Sequence, residues 1–384
     1  MSIPAAGTDP LLLMTPGPTR LPPRVLEAGG QPMIHHRTPA FSRTLVSVID
    51  QLRPVFGTAE ADLLPVHTTG RGGMEAAIAN LLCPGDEVIA CCNGKFGEMW
   101  ATLAESYGVV VHRVCTTWER GTDAAEVEQA LTDHPRARAV TVAYTDTSTG
   151  VQNDVKAVLA LTRERGVLGM VDGISSFGGV PFQFDAWGAD VAVTASQKCL
   201  MASPGVSFVA VSARAWKAYE RGSLPRNYWD LGEARKVYAK AQPETTGTAP
   251  VHIYLQLAAS LALIHQEGLA NVYARHEELG RLTRELAARM GLELLFPRLE
   301  KQSPTLTALH APDGITPKSI RDAMRQRGIL LAGGLGAYTG TSFRIGHLGD
   351  IRVADVRRTC TELAAVLAEL SSGATSAAPA PVGG

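Results

Sequence analysis

VDGISSFGGVPFQFDAWGADVAVTASQKCLMASPGVSFVAVS, residues 171–212, is the stretch from which the rest of the chain can be read. It begins at the end of one apolar run (167–172) and contains two more (189–196 and 206–212). Each run is short and rich in Val and Ala. None alternates with polar residues, so each reads as a strand buried on both faces of a sheet. The chemically capable side chains fall where two of these runs stop. Asp172 closes the first, and Ser196-Gln197-Lys198 closes the second. Sheets covered by helices bind their ligands at the carboxyl ends of the strands, so these four residues are candidates for a site.

The alternation continues upstream. Residues 74–83 (MEAAIANLLC) have a helical period, 86–92 (DEVIACC) read as a strand, 97–108 as a helix and 109–114 as a strand. Helices are predicted over 123–134 and 154–166, with an extended run at 138–144 between them. The pattern implies an α/β fold with a mainly parallel sheet covered on both faces. Two long helical stretches, 252–268 and 269–291, then lead into a smaller α+β C-terminal domain. Its strands are predicted at 292–296, 305–311, 329–332 and 342–348, and its helices at 317–328 and 352–370. The division is an N-terminal arm over 1–20, a large domain over 21–267, a small domain over 268–370 and a disordered Pro/Gly/Ala-rich tail over 371–384. There is no internal repeat.

Lys plus Arg number 36 against 37 Asp plus Glu, which leaves no basic field for a nucleic acid. The six cysteines form no CxxC pair and read as reduced core thiols. The opening MSIPAAGTDPLLLM lacks a basic leader, and no apolar run approaches a membrane span. A cytoplasmic protein is expected.

Four features carry chemistry. Thr69-Gly70-Arg71-Gly72-Gly73 precedes a helix, and a Gly-rich turn feeding a helix N-terminus suits a phosphate. Asp172 at a buried strand end needs a cationic partner. A protonated pyridine nitrogen at about 4 Å would supply roughly 4 kcal/mol of attraction at an effective dielectric of about 20. Lys198 lies 26 positions later in an apolar context, placed to form an imine once desolvation lowers its pKa. Arg344, in SFRIGHL, offers a two-pronged clamp for a carboxylate. Phosphate cup, acid, amine and clamp together are the parts of a pyridoxal 5'-phosphate (PLP) site.

The 171–212 stretch closely resembles the lysine-bearing region of the class V aminotransferases, fold-type I PLP enzymes that include the alanine/serine–glyoxylate and serine–pyruvate aminotransferases. TPGPT (15–19), PRVLEAGGQPMIHHRTPAF (23–41), NGKFGE (93–98), DTSTGV (146–151), TGTAPV (246–251) and FRIGHLG (343–349) follow in order, so the resemblance runs from about Thr15 to Leu370. It implies that Lys198 holds PLP as a Schiff base and shuttles the proton of transamination, with Asp172 on the pyridine nitrogen. It assigns Thr69, Gly70, Arg71, Ser196 and Gln197 to the phosphate, Phe96 to the ring face and Thr147 to the ring edge. Thr248 would reach the phosphate of a partner subunit, which makes the protein a homodimer with composite sites. Arg344 and the backbone near Gly17 would take the substrate carboxylate. The substrates implied are a small amino acid of the alanine or serine type and a short 2-oxo acid such as glyoxylate or pyruvate.

Some spellings depart from that pattern. TTGRGGME (68–75) is nearer the phosphate loop of ureidoglycine–glyoxylate aminotransferases, and Thr245 stands where some relatives carry a Tyr on the phosphate. His35, His36 and Arg37 have no assigned role. A cysteine desulfurase would need a Cys in the loop 329–343, which has none. A PLP lyase stays open, as does an aminotransferase for ureidoglycine, 2-aminoethylphosphonate, pyridoxamine or a biosynthetic intermediate. A Rossmann dehydrogenase would need a GxGxxG after its first strand, and none is present.

Overall fold

The computed structural model describes residues 11–118, 120–298 and 301–375. The chain enters through strand β1 (Leu12–Met14), helices α1 (Pro23–Gly29) and α2 (Pro39–Phe56), then β2 (Asp62–Val66) and α3 (Gly70–Leu81). Strand and helix alternate through β3 (Glu87–Cys91), α4 (Lys95–Ser106), β4 (Val110–Val114), α5 (Ala124–Asp133) and β5 (Ala137–Ala143). A two-residue hairpin, β6 (Thr145–Asp146) and β7 (Val151–Gln152), leads to α6 (Val155–Arg165), β8 (Leu168–Asp172), α7 (Phe184–Trp187), β9 (Val191–Ala195) and β10 (Ser207–Val211). Helices α8 (Ala213–Arg221), α9 (Leu231–Tyr238), α10 (Val251–Glu267) and α11 (Leu269–Arg289) follow. The chain ends in β11 (Leu306–His310), α12 (Pro317–Gln326), β12 (Ile329–Gly333), β13 (Ser342–Gly346) and α13 (Val353–Thr375).

Local chemistry sets many of these boundaries. Thr38, Asp123, Asp154, Ser212, Asp230 and Thr316 cap their helices by accepting from early backbone N–H groups, each cap worth about 1 kcal/mol. Gly57 and Gly166 end α2 and α6 in the left-handed region. Gly268, at φ +85°, separates α10 from α11.

Seven strands form the main sheet in the order β2-β10-β9-β8-β5-β3-β4, with β10 antiparallel to both neighbours and every other pairing parallel. Alternate strand residues feed two core layers. Val171 and Ala192 pack with α2, α6 and α10 on one face, while Met170, Val191 and Val193 pack with α3 and α4 on the other. A second sheet, β1-β12-β13-β11, is covered by α11, α12 and α13. The α/β, fold-type I reading with a mainly parallel sheet holds.

Three expectations need correction. Residues 292–296 do not form a strand; only Leu294 bridges to Leu309, and Pro297 follows at once. The expected arm is partly a strand, since Leu12–Met14 pairs in parallel with Ile329–Leu331 and its apolar residues fill the small sheet's core. Residues 371–375 continue α13 rather than belonging to the expected tail; the rest of that expectation, 376–384, lies outside the described residues.

Candidate active site

Five loops leave the carboxyl ends of β2, β3, β5, β8 and β9 and carry most of the residues in question. Asp172 ends β8 and is only 3 % exposed. Its Oδ1 accepts from the Ile174 N–H at 2.7 Å, and it makes no ion pair within contact distance among the described residues. Burial pushes its pKa up to about 7, aided by Asp146 and opposed by the Ile174 N–H and by Lys198.

Lys198, just past β9, is partly buried, and its Nζ donates to the Pro16 carbonyl. Burial pulls its pKa down to about 8, Arg344 adds to the fall, and Asp172 opposes it. The TPGPT segment is the wall of this lysine's slot. Thr19 N–H donates to Gln197 O at 3.2 Å and Thr19 Oγ1 to Lys198 O at 3.1 Å. Gly17 sits at φ +116°, and a Cβ on it would come within 2.5 Å of Lys198 Cδ.

Arg344 reaches in from β13 and is 7 % exposed. Its Nε donates to Gly333 O at 2.8 Å and its Nη1 to Thr147 O at 2.9 Å, which fixes the guanidinium plane. Burial lowers its pKa to about 10. Thr147 shares a 2.7 Å hydrogen bond with Ser175, a hydroxyl that sequence reasoning did not single out.

The Gly-rich turn gets its spelling from packing. A Cβ at Gly70 would come within 2.4 Å of Ile174, at Gly72 within 2.1 Å of Thr68 and at Gly73 within 2.2 Å of Ser207. The glycines therefore let the start of α3 lie directly on the loop after Asp172 and on β10. Thr69, the N-cap, makes no side-chain capping bond and is exposed, as is Arg71, leaving both at the helix's positive end.

Other candidates sit differently. The Ser196 hydroxyl donates to Ser203 O at 2.6 Å and is fully buried, so it is held within its own loop. Gln197 beside it has a buried amide oxygen with no partner. Thr248 is exposed on its own chain, beside His67, Tyr228 and Trp229. The Thr245 hydroxyl closes a local turn onto Gly247 O at 2.9 Å. Arg37 ties the His35–His36 segment to that turn, donating to Glu244 Oε2 and to Thr245 O, both at 3.0 Å.

Sequence reasoning missed Asp146. It is fully buried beside Thr147, and its two oxygens accept from Phe96 N, Gly97 N, Ser148 N and Ser148 Oγ. Its signal was an acid next to Thr147 in the DTSTGV segment, just past a buried strand.

These residues suit PLP. A buried carboxylate without an ion-pair partner, an amine with a lowered pKa and the open end of α3 offer a counter-charge, an attachment point and a phosphate cup at the carboxyl ends of β8, β9 and β2.

Comparison with known proteins agrees. The family described as aminotransferase class-V matches residues 11–353. A Synechococcus protein called soluble hydrogenase, small subunit, is 38% identical over 94% of each chain. The L-aspartate–glyoxylate aminotransferase of Paracoccus denitrificans is 36% identical over 88% of this chain and 86% of its own. The solved alanine–glyoxylate aminotransferase of Nostoc sp. superposes with a TM-score of 0.89 at 34% identity, covering 96% of this chain and 98% of that one. The hydrogenase name describes the cyanobacterial protein. Among the described residues here, the one group of three with metal-ligand spacing is Glu87, His112 and His134, which contains no thiolate. No described helix is long and apolar enough to cross a membrane. With the family matched along most of its length and the site's parts in register, the chain belongs to the class-V aminotransferases, the PLP-dependent transaminases of fold type I.

Proposed function

We propose that this transaminase moves an amino group from a small amino acid of the alanine or serine type to a short 2-oxo acid such as glyoxylate or pyruvate. The observation that carries the reading is the meeting of Lys198, Asp172 and an inward-turned Arg344 at adjoining loops. Glyoxylate is the acceptor in the names of two of the relatives described above.

Bound PLP supplies an aldehyde for the amine and a protonated ring that draws electrons from the substrate's Cα. Each side chain then has a separate task. Lys198, with its pKa near 8, would hold the cofactor, and its amine would accept and return the proton of transamination. Asp172 keeps the ring nitrogen charged. The amides of Gly70 and Arg71, with Thr69 and the Gln197 side-chain NH2, would bind the phosphate, while Phe96 would cover one ring face. Ser196 supports this loop from within through its bond to Ser203. The paired hydroxyls of Thr147 and Ser175 would lie at the ring edge. Arg344 keeps Nη2 and one Nη1 proton for the two oxygens of the substrate carboxylate.

We further infer a homodimer in which Thr248 would serve the partner's phosphate, a reading supported by its exposure on its own chain. A cytoplasmic setting is supported by six free cysteines, five of them buried.

Borohydride reduction and peptide mapping should place the pyridoxyl adduct on Lys198, and an adduct on another lysine would sink the assignment. Lys198→Ala should lose transamination by several orders of magnitude. A single-turnover screen then ranks donors. Alanine or serine should convert the cofactor to its amine form faster than 2-aminoethylphosphonate or pyridoxamine, which lack a carboxylate; the reverse order would make the carboxylate-clamp reading wrong, and a faster ureidoglycine would change only the donor.

A further inference from the structure

We infer that Asp146 is a positioning residue for Phe96, fixing the ring-covering aromatic by gripping the first turn of its helix; the inference rests on the PLP reading of the site. The starting observation is a fully buried carboxylate with four donors. Oδ2 accepts from the backbone N–H of Phe96 at 2.9 Å and of Gly97 at 3.2 Å. Oδ1 accepts from Ser148 N at 2.9 Å and Ser148 Oγ at 2.5 Å. Ser148 Oγ in turn accepts from Lys95 N at 2.9 Å. Three successive N–H groups at the start of α4 are thus held by one two-residue device on the DTSTG turn.

The Phe96 backbone is held directly, so its Cα–Cβ direction is set by the carboxylate rather than by the packing of the ring alone. Steric contacts on the opposite side close the grip. A Cβ at Gly94 would come within 2.2 Å of Asp146 Cγ, and one at Gly97 within 2.1 Å of Cys91 O. The turn is therefore pressed against the carboxylate on one side and the end of β3 on the other. An anion at a helix N-terminus also faces the favourable end of the dipole. An ordinary cap of this kind would stabilise α4 and nothing more. Here, however, the capped residue is the one that would cover the bound cofactor's ring, and the capping acid adjoins Thr147, whose carbonyl holds Arg344.

Asp146→Asn keeps the volume but must turn an NH2 toward at least one of the N–H donors. If Asp146 acts through Phe96, the holoenzyme variant should still give the Lys198 adduct on reduction. Its visible circular dichroism per bound cofactor should fall, its PLP dissociation constant should rise about tenfold, and kcat/KM should drop about 10- to 100-fold. In a Phe96→Ala background the same substitution should cost less than about threefold more, because the group it positions is gone. Ser148→Ala, a milder loosening of the same grip, should shift the dichroism in the same direction and decides the matter if Asp146→Asn does not fold. Unchanged dichroism and PLP affinity with only a lower melting temperature would overturn the proposal, and so would full multiplication of the losses in the Phe96→Ala background. A wild-type protein that forms no adduct on Lys198 would overturn the site reading itself, and this inference with it.

Discussion

Asp172 and Lys198 show how a site's charges leave a trace in stability. Asp172 titrates near 7 in the folded chain against a usual 3.8, so between about pH 4 and 7 the folded apoprotein binds more protons than the unfolded chain, and stability falls as pH rises through that window. Lys198 titrates near 8 against 10.5, so the unfolded chain binds more protons between those values and stability rises there. Apo Asp172→Asn should therefore melt above wild type at pH 8, by roughly 1–4 kcal/mol, and converge with it near pH 4. The same variant should lose most of its transamination rate. Differential scanning calorimetry across pH checks the first part; equal melting at pH 8 would mean the carboxylate is already compensated. At Arg344 the geometry argues for shape over charge. Arg344→Lys should lose nearly as much kcat/KM for alanine as Arg344→Ala, roughly 30-fold or more, because an ammonium cannot reproduce the fork that Gly333 and Thr147 hold in place. Both residues were legible because a charge at the end of an apolar run is conspicuous. The inward turn of the Ser196 hydroxyl was not, since it depends on where the Ser203 carbonyl folds back.

At the level of elements, the buried strands and most helix ends could be read because apolar runs and capping residues are local signals. What escaped depended on distant partners. Leu12–Met14 looks like a loose arm until β12 offers an edge, and residues 292–296 look like a strand until the sheet supplies only one bridge. TPGPT was quoted only for its resemblance, yet its physical role is to close around the lysine. That role makes Gly17 a sharp probe. Gly17→Ala combines a backbone conformation that a side chain resists, at φ +116°, with a Cβ 2.5 Å from Lys198 Cδ. The variant should fold, since the clash is with a flexible side chain, but Lys198 must move aside. Capture of added PLP by the apoprotein, followed by its visible band, should slow at least about tenfold. Capture at the wild-type rate would show that the slot has more freedom than its contacts suggest.

For the whole molecule, the described chain brings most of the expected residues to the carboxyl end of the main sheet and leaves Thr248 exposed beside Val66 and His67 at the end of β2. Which subunit's phosphate Thr248 would face is a property of the assembly, so one sequence cannot reveal it. The surface also carries Leu26, Met33 and Tyr228, each more than half exposed despite its apolar bulk. If two copies pair so that Thr248 of one completes the phosphate cup of the other, Lys198→Ala and Thr248→Ala should damage different halves of each site. Thr248→Ala should weaken PLP binding about 10- to 100-fold, the worth of one hydrogen bond to a charged group. Each homodimer should then be poorly active at limiting cofactor. Mixed by unfolding and refolding in equal amounts, half of the dimers should be hybrids, and each hybrid holds one complete site and one lacking both groups. Activity should recover to about a quarter of wild type, well above the mean of the two parents. Recovery no greater than that mean would show that each chain builds its site alone.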